Sequence, residues 1–357
     1  MLFRSDAFWD SDRTENNSSR NLESQGQKVK ILEYFRENEP STTEEYAARA
    51  WGALVAEQWD KAKQDSDKVS AASPDWPWAL ALRATALLGG NCLKEKDSKE
   101  VKLSIETLKK VNKLKPEYAN AYRQLAAEYE CTGNTQEAIS SHTEAIKYWP
   151  SSENYMRRGN FYLEIEEKDK KKLKENVEKA HQDFSAALEK DPSYSEANVG
   201  LARVFSLNED YQNCISEIDK ALARKQFFDA YYWRSSCRNS LAAKEKDEKG
   251  FDEAITNLES SKEQIDKYNS SADQQMLLAQ YYFLKASVYN NKAFYFFSEK
   301  YLKNKSSSLK TKIKAELASA QSSVAEAKSI NQNKVLDKQI IELEKTIKSN
   351  SKTLARV

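Results

Sequence analysis

Apolar and small residues recur along the chain at helical spacing, in runs that come in pairs. The clearest pair lies between Glu117 and Pro150, and Gly133 separates its two runs. Because an α-helix repeats every 3.6 residues, each run places its apolar positions on one stripe. The pattern predicts two antiparallel helices joined by a glycine turn, and the proline ends the second because it cannot continue a helix. The stripe positions are Tyr122, Leu125, Ala126 and Tyr129 in the first run, and Ala138, His142 and Ala145 in the second.

Pairs of this kind recur about seven times between residues 41 and 333, and small residues stand where the helices of each pair would cross. Ser41 to Glu45 predicts a capping box that opens the first helix. The charged segment from Glu166 to Lys179 enlarges the fourth turn. Since lysine and glutamate favour helices, we expect it to extend that hairpin as solvated helix, with a contact to an acidic partner as the alternative.

The ends of the chain differ from this repeating pattern. Residues 1–26 are polar and predict a mobile tail, and residues 27–40 predict a short helix that covers the first pair. Residues 334–357 predict a capping helix and tail, because a terminal helix needs one polar face. In the seventh pair, an aromatic run from Phe294 to Phe297 and a basic stretch from Lys303 to Lys314 separate the two helical patterns. We expect the aromatic run to pack within its hairpin, with an interface as the alternative.

The stretch from Glu117 to Pro150 resembles the tetratricopeptide repeat, a helix–turn–helix unit of about 34 residues. Tyr122 matches the first large aromatic of that family, and His142 replaces the usual aromatic of the second helix. The resemblance implies an all-α fold: a right-handed superhelical solenoid of about seven hairpins with a C-terminal capping helix. It also implies a concave groove, lined by the first helix of each repeat, in which such proteins bind other proteins.

We expect polar and aromatic first-helix positions to face this groove. They are Arg123, Gln124, Arg157, Asn160, Arg203, Tyr232 and Trp233. Guanidinium groups bind carboxylates through paired hydrogen bonds, so the sequence predicts an acidic peptide or helix as the partner. The alternative is that these side chains are merely solvated on an unused face.

Some members of the family hold the C-terminal carboxylate of chaperone tails with a Lys/Asn/Asn/Lys/Arg set spread over three repeats. The matching positions here are Arg123, Ala127, Arg157, Glu196 and Gly200. Only the first is a conservative match, and Glu196 would repel a carboxylate. The resemblance therefore does not extend to that clamp.

Charge and cysteine content limit the function further. The chain has 357 residues, with 56 Lys and Arg against 55 Asp and Glu, which argues against a nucleic-acid binder. Four widely spaced cysteines without a CxxC pair predict buried free thiols and a reducing, cytoplasmic location. The polar N-terminus is unlike a secretory signal, and no apolar run reaches the ~20 residues that span a bilayer, so we expect no membrane insertion.

The chain offers little catalytic chemistry. His142 and His181 are the two histidines, both beside repeat alanines, where we expect them in the core or between helices. No catalytic, metal-binding or phosphate-binding motif is present, which predicts no enzyme activity, no metal and no cofactor. We expect a non-enzymatic scaffold or adaptor. The alternatives are a structural subunit of a larger assembly, a co-chaperone-like assembly factor or, less favoured, a nucleic-acid regulator acting through residues 168–174.

Overall fold

A computed structural model of the chain describes residues 34–35, 38–56, 58–88, 98–267, 271–331, 334 and 336–356. The predicted tail at residues 1–26 lies outside these residues, as does most of the predicted helix at residues 27–40. Every regular element in the described part is a helix and none is a strand, so the all-α prediction is confirmed. The chain divides into two compact units, Met1–Arg158 and Gly159–Val357.

Six helices lie in the first unit and pack as three consecutive hairpins. The pairs are α1 with α2, α3 with α4, and α5 with α6, and further contacts join α2 to α3 and α4 to α5. The helices are α1 (Thr43–Val55), α2 (Trp59–Ala72), α3 (Pro77–Leu88), α4 (Lys99–Leu114), α5 (Ala119–Thr132) and α6 (Thr135–Tyr148). The first three predicted repeats are therefore present.

The second unit contains longer helices, and α7 (Ser152–Glu164) begins before its first residue. Hairpins form between α9 and α10, between α11 and α12, and between α13 and α15, while α16 packs on α15 and α13. The helices are α8 (Lys170–Lys190), α9 (Ser195–Leu207), α10 (Tyr211–Leu222), α11 (Phe228–Glu245), α12 (Glu248–Lys262), α13 (Ser271–Tyr295), α14 (Leu302–Asn304), α15 (Ser307–Ile330) and α16 (Asp337–Arg356). A 3₁₀ turn covers Ile265–Lys267 and a π-helix covers Phe296–Tyr301.

Local signals set the helix ends as predicted. Thr42 accepts a hydrogen bond from the backbone N–H of Glu45, whose carboxylate accepts from the backbone N–H of Thr42, which completes the capping box. Gly133 ends α5 with φ 75°, a left-handed conformation that a residue without Cβ adopts at little cost. The segment after Glu166 joins α8, which begins at Lys170 and is exposed in its first turns, so the expected helical extension is confirmed.

The seventh hairpin is helical almost throughout. The π-helix and the single turn of α14 continue α13 to Asn304, and α15 begins three residues later. The aromatic run therefore lies within helices, and Tyr295 and Phe296 are buried in a core shared with α12 and α15. Packing, the expected role of these aromatic residues, is confirmed for this pair, whereas Phe294 is 56% exposed.

One aromatic side chain determines the packing of the helices around α8. Phe184 is fully buried, and a Cβ atom added to Gly159 on α7 would lie 2.7 Å from its ring. A Cβ added to Gly200 on α9 would lie 2.6 Å from the same ring. Since real contacts of this kind almost never fall below 3.0 Å, the ring occupies the space that both glycines leave empty.

The cysteines correct the prediction of free thiols. Cys214 on α10 and Cys237 on α11 form a disulfide, with Cα atoms 6.4 Å apart, and Cys131 is also disulfide-bonded. In the described part of the chain no cysteine is a free thiol. Because disulfides persist mainly in oxidising compartments, the cysteines do not support the expected reducing location.

We expect Gly200→Ala to lower the free energy of unfolding by about 1–3 kcal/mol, the usual cost of overpacking a core. Alanine gains about 0.5–1 kcal/mol over glycine within a helix. The clash outweighs this gain because Phe184 cannot move away from Gly200 without approaching Gly159. Urea unfolding followed by circular dichroism measures the difference.

Two further variants test the steric explanation. Ser216→Ala changes an exposed position on α10 and should be neutral or slightly stabilising, because alanine has the higher helix propensity. Adding Phe184→Leu to Gly200→Ala should recover part of the lost stability. A Gly200→Ala protein at least as stable as the wild type would show that the ring tolerates the added methyl group.

Replacing both Cys214 and Cys237 with serine should lower the free energy of unfolding by about 3 kcal/mol, because the bridge closes a loop between positions 23 apart. Reducing the disulfide of the wild-type protein should lower its free energy of unfolding by a similar amount. The double variant has no bridge at these two positions to reduce. Alkylation of the unreduced, denatured protein, followed by mass spectrometry, checks the pairing directly. Labelling of either cysteine in most molecules would contradict the disulfide.

Candidate protein-binding surfaces

The predicted groove residues lie in both units, and each unit brings part of the set together. In the first unit, Arg123 and Arg157 converge on one carboxylate, and we call them the arginine pair. In the second unit, five side chains of three helices form what we call the Arg203 surface. They are Asn160, Arg203, Asp229, Tyr232 and Trp233.

Glu153 joins the arginine pair. Its Oε1 atom accepts a hydrogen bond of 2.8 Å from Nη2 of Arg123 on α5 and another of 2.8 Å from Nη2 of Arg157 on α7. Burial raises the pKa of Glu153, but the charge of Arg123 and the hydrogen bond from Arg157 lower it below its ordinary value. The Arg123 side chain is largely covered, whereas that of Arg157 is 50% exposed.

Gln124 lies beside the arginine pair on α5 and is only partly exposed. Its Oε1 atom is buried and has no hydrogen-bond partner among the described residues. An unpaired buried acceptor costs about 1–3 kcal/mol.

Arg203 on α9 is the centre of the second surface. Its Nη1 atom donates a hydrogen bond of 2.8 Å to Oδ1 of Asn160 on α7, and its guanidinium carbon lies 5.7 Å from the centre of the Trp233 ring on α11. Both contacts fix the plane of the guanidinium group. Burial lowers the pKa of Arg203, against the charges of Glu164 and Asp229, which raise it.

Tyr232 and Asp229 occupy the first turns of α11. The Tyr232 ring stacks on Phe228 and meets Trp233 edge to face. Burial, together with the charge of Asp229, raises the pKa of Tyr232 to about 12, so the phenol is neutral at physiological pH. Burial also raises the pKa of Asp229; the charge of Arg203 opposes this effect and that of Glu196 adds to it.

Sequence reasoning predicted the seven groove residues as one set on the first helices. The structure brings Arg123 together with Arg157, and Asn160 together with Arg203, Tyr232 and Trp233. It also adds carboxylates that the sequence did not single out. Glu153 and Asp229 both lie in the first turn of a first helix, one turn before a predicted groove residue. Acidic residues are favoured there by the helix dipole, and this was the available signal.

Comparisons with known proteins identify the repeat. Human tetratricopeptide repeat protein 13 is 27% identical over 198 residues, 55% of this chain and 22% of that protein. The TPR repeat-containing protein YpiA of Bacillus subtilis is 25% identical over 260 residues, 69% of this chain and 56% of that protein. The chain is similar to tetratricopeptide repeat proteins. It spans about a fifth of the first relative and just over half of the second, and no family model matches it.

Solved structures share the fold of this chain. A tetratricopeptide repeat protein from Parabacteroides merdae superposes with a TM-score of 0.55 at 15% identity, covering 85% of this chain and 98% of that chain. A chain from the APC/C hetero-tetramer Cut9–Hcn1 gives a TM-score of 0.56 at 15% identity, covering 91% and 52%. At this level of identity the similarity establishes the all-α repeat fold alone.

The two histidines, which could carry chemistry, have structural contacts in this protein. His142 is buried on α6 and forms a hydrogen bond with Glu130 on α5, and His181 meets Phe205 edge to face. Both histidines therefore lie between helices, as the sequence predicted. Among the described residues, no group of three acidic, histidine or cysteine side chains could hold a metal ion. No helix among them has the length and apolar content needed to cross a bilayer.

Glu128 is a buried carboxyl group on α5, on the apolar stripe one turn after Leu125. It is 1% exposed, and burial raises its pKa to about 7. Ser104 Oγ lies 2.7 Å from Glu128 Oε1 and 3.1 Å from the carbonyl oxygen of Ala84. If Glu128 is protonated, it donates to Ser104 and Ser104 donates to Ala84, so each proton has an acceptor.

This raised pKa makes the stability of the first unit depend on pH. The folded value of about 7 exceeds the ordinary value of 4.5, so folding favours the protonated form. The stability that depends on Glu128 is complete below pH 4.5, declines as pH rises towards 7 and stays low above it. We expect Glu128→Gln to be more stable than the wild type at pH 8.5, by up to about 3 kcal/mol, and similar to it at pH 5.

Urea unfolding at both pH values checks the expected crossover. Glu106→Gln removes an exposed carboxylate from α4 and should shift stability by less than about 0.5 kcal/mol at either pH. If Glu128→Gln were destabilised equally at pH 5 and pH 8.5, Glu128 would be ionised in the folded protein.

Proposed function

We propose that this protein is a non-enzymatic scaffold of the tetratricopeptide repeat type that binds a segment of a partner protein on the first helices of its repeats. The observation that carries the proposal is the arginine pair, in which two guanidinium groups share one carboxylate. Arg157 is half exposed, so its guanidinium group can also bind a carboxylate of a partner.

The chemistry of the pair favours an acidic segment. Arg123 is already fixed by Glu153, which reduces the conformational entropy that binding would cost. Arg157 donates to Glu153 through Nε and Nη2, and its exposed side chain can turn towards a ligand.

A structural subunit of a larger assembly is the second candidate. The second unit exposes large apolar side chains, including Phe294 and Leu207, which a neighbouring subunit could cover. One protein of similar fold belongs, by its description, to the APC/C hetero-tetramer Cut9–Hcn1. Size-exclusion chromatography with light scattering distinguishes the candidates, because an obligate subunit should self-associate or require its partner to stay in solution. A co-chaperone-like role has less support, because the clamp residues are absent.

The cellular location belongs to the proposal as well. The sequence suggested the cytoplasm, in part because its cysteines were expected to be free. The disulfide between Cys214 and Cys237 favours a compartment that permits oxidation. We therefore place the scaffold in an oxidising compartment.

Capture of partners from a native lysate tests the role of the arginine pair. Arg157→Glu should reduce recovery of a bound partner about tenfold or more, because a hydrogen bond to a charged group contributes about 1.5–3 kcal/mol. The folded structure should be unaffected, since Arg157 is exposed. Quantitative mass spectrometry of proteins captured by wild type and variant gives the ratio.

Lys147→Glu is the matched control. Its side chain is 58% exposed and pairs with Glu144 on α6, a second helix of the same unit. It makes the same change of charge away from the first helices and should leave recovery unchanged. If both variants lost the partner equally, general electrostatics would explain the capture. If neither lost it, the arginine pair would not be the binding surface.

A further inference from the structure

Two opposite charges of the Arg203 surface lie on neighbouring first helices without pairing. Arg203 belongs to α9 and Asp229 to α11. Their charges attract each other, but within the described residues neither side chain forms a salt bridge. Other charged residues of this unit do form one; Arg234 pairs with Asp219, for example. Unpaired charges among protein atoms are costly, so this arrangement requires an explanation.

The Arg203 guanidinium group is held in place, but some of its N–H donors have no hydrogen-bond acceptor among the described residues. One of its N–H groups donates to Asn160, and Trp233 lies within cation–π distance. Neither neighbour is charged, and the structure shows no carboxylate accepting from the other N–H groups. Arginine binds carboxylates through two parallel hydrogen bonds, which the remaining donors can supply.

Asp229 likewise has no cationic hydrogen-bond donor among the described residues. Asp229 is exposed, but partial burial of its carboxyl group raises the pKa of that group. The charge of Arg203 opposes this effect, and that of Glu196 adds to it. Lys225 pairs at 2.9 Å with Glu196. The helix dipole of α11 favours a negative charge at the position of Asp229, but no cation of the described residues forms a salt bridge with it.

We propose that the Arg203 surface binds a segment of a partner protein that carries one acidic and one basic side chain, with Arg203 taking the acidic group and Asp229 the basic one. This inference rests on the proposed scaffold function and specifies its partner. A purely acidic segment fits less well, because Glu164, Glu196 and Asp229 outnumber Arg203 and Lys225 there. Tyr232 and Trp233 supply a partly exposed aromatic contact between the two charges, which suits a peptide.

Selection of phage-displayed random 12-residue peptides on the full chain tests this directly. Peptides enriched on the wild type should contain an acidic and a basic residue at a constant spacing. Arg203→Gln should abolish the preference for the acidic residue and keep that for the basic one, whereas Asp229→Asn should do the reverse. For a synthetic peptide from the wild-type selection, each variant should weaken binding about tenfold or more by fluorescence polarisation.

Matched variants in the same unit control for charge and folding. Arg238→Gln and Asp219→Asn remove the same charges from residues that pair with Glu253 and Arg234, and they should leave the enriched sequences unchanged. Circular dichroism and thermal unfolding should show that all four variants fold. Enriched peptides without the paired charges, or with charges insensitive to Arg203→Gln and Asp229→Asn, would overturn this inference alone. Enrichment of no peptide would contradict the scaffold function as well.

Discussion

The close approach of helices is the constraint on which the repeat array depends. Two helices can pack at a short distance only where one side of the contact lacks a large side chain. In the second unit Phe184 fills the space left by Gly159 and Gly200, and in the first unit Ala126, Ala138 and Ala145 are fully buried. A methyl group added at a glycine that contacts Phe184 would change the distance between helices that also carry binding residues.

This packing leaves the first helices free to carry unusual charges. Because helix spacing is set by small residues and buried rings, polar groups on the exposed face need not contribute to folding. Glu153 can be shared by two arginines, and Asp229 can stay without a salt bridge among the described residues, at a cost that the core offsets. Charges that do not stabilise the fold are the ones that a partner can stabilise.

The sequence predicted the helices, turns and caps that depend on local periodicity. The stripe from Tyr122 to Tyr129, the turn at Gly133 and the capping box at Thr42 each follow from neighbouring residues, and all three are present. Features that depend on the approach of distant positions were missed or wrong. Cys214 and Cys237 looked like small apolar core residues because their separation of 23 positions does not reveal their pairing. The carboxylates near the arginines were missed for the same reason, since side-chain partners on neighbouring helices cannot be read from spacing alone.

The disulfide and the Arg203 surface are connected through their helices. Cys214 lies on α10, the hairpin partner of α9, and Cys237 lies on α11. The bridge therefore joins two neighbouring repeats rather than the two helices of one hairpin. Asp229 shares α11 with Cys237, and Arg203 lies on α9, which contacts both α10 and α11. A binding surface with fixed charges loses less entropy when a ligand binds. The covalent link between the repeats thus restrains the helices that carry both charges of the Arg203 surface.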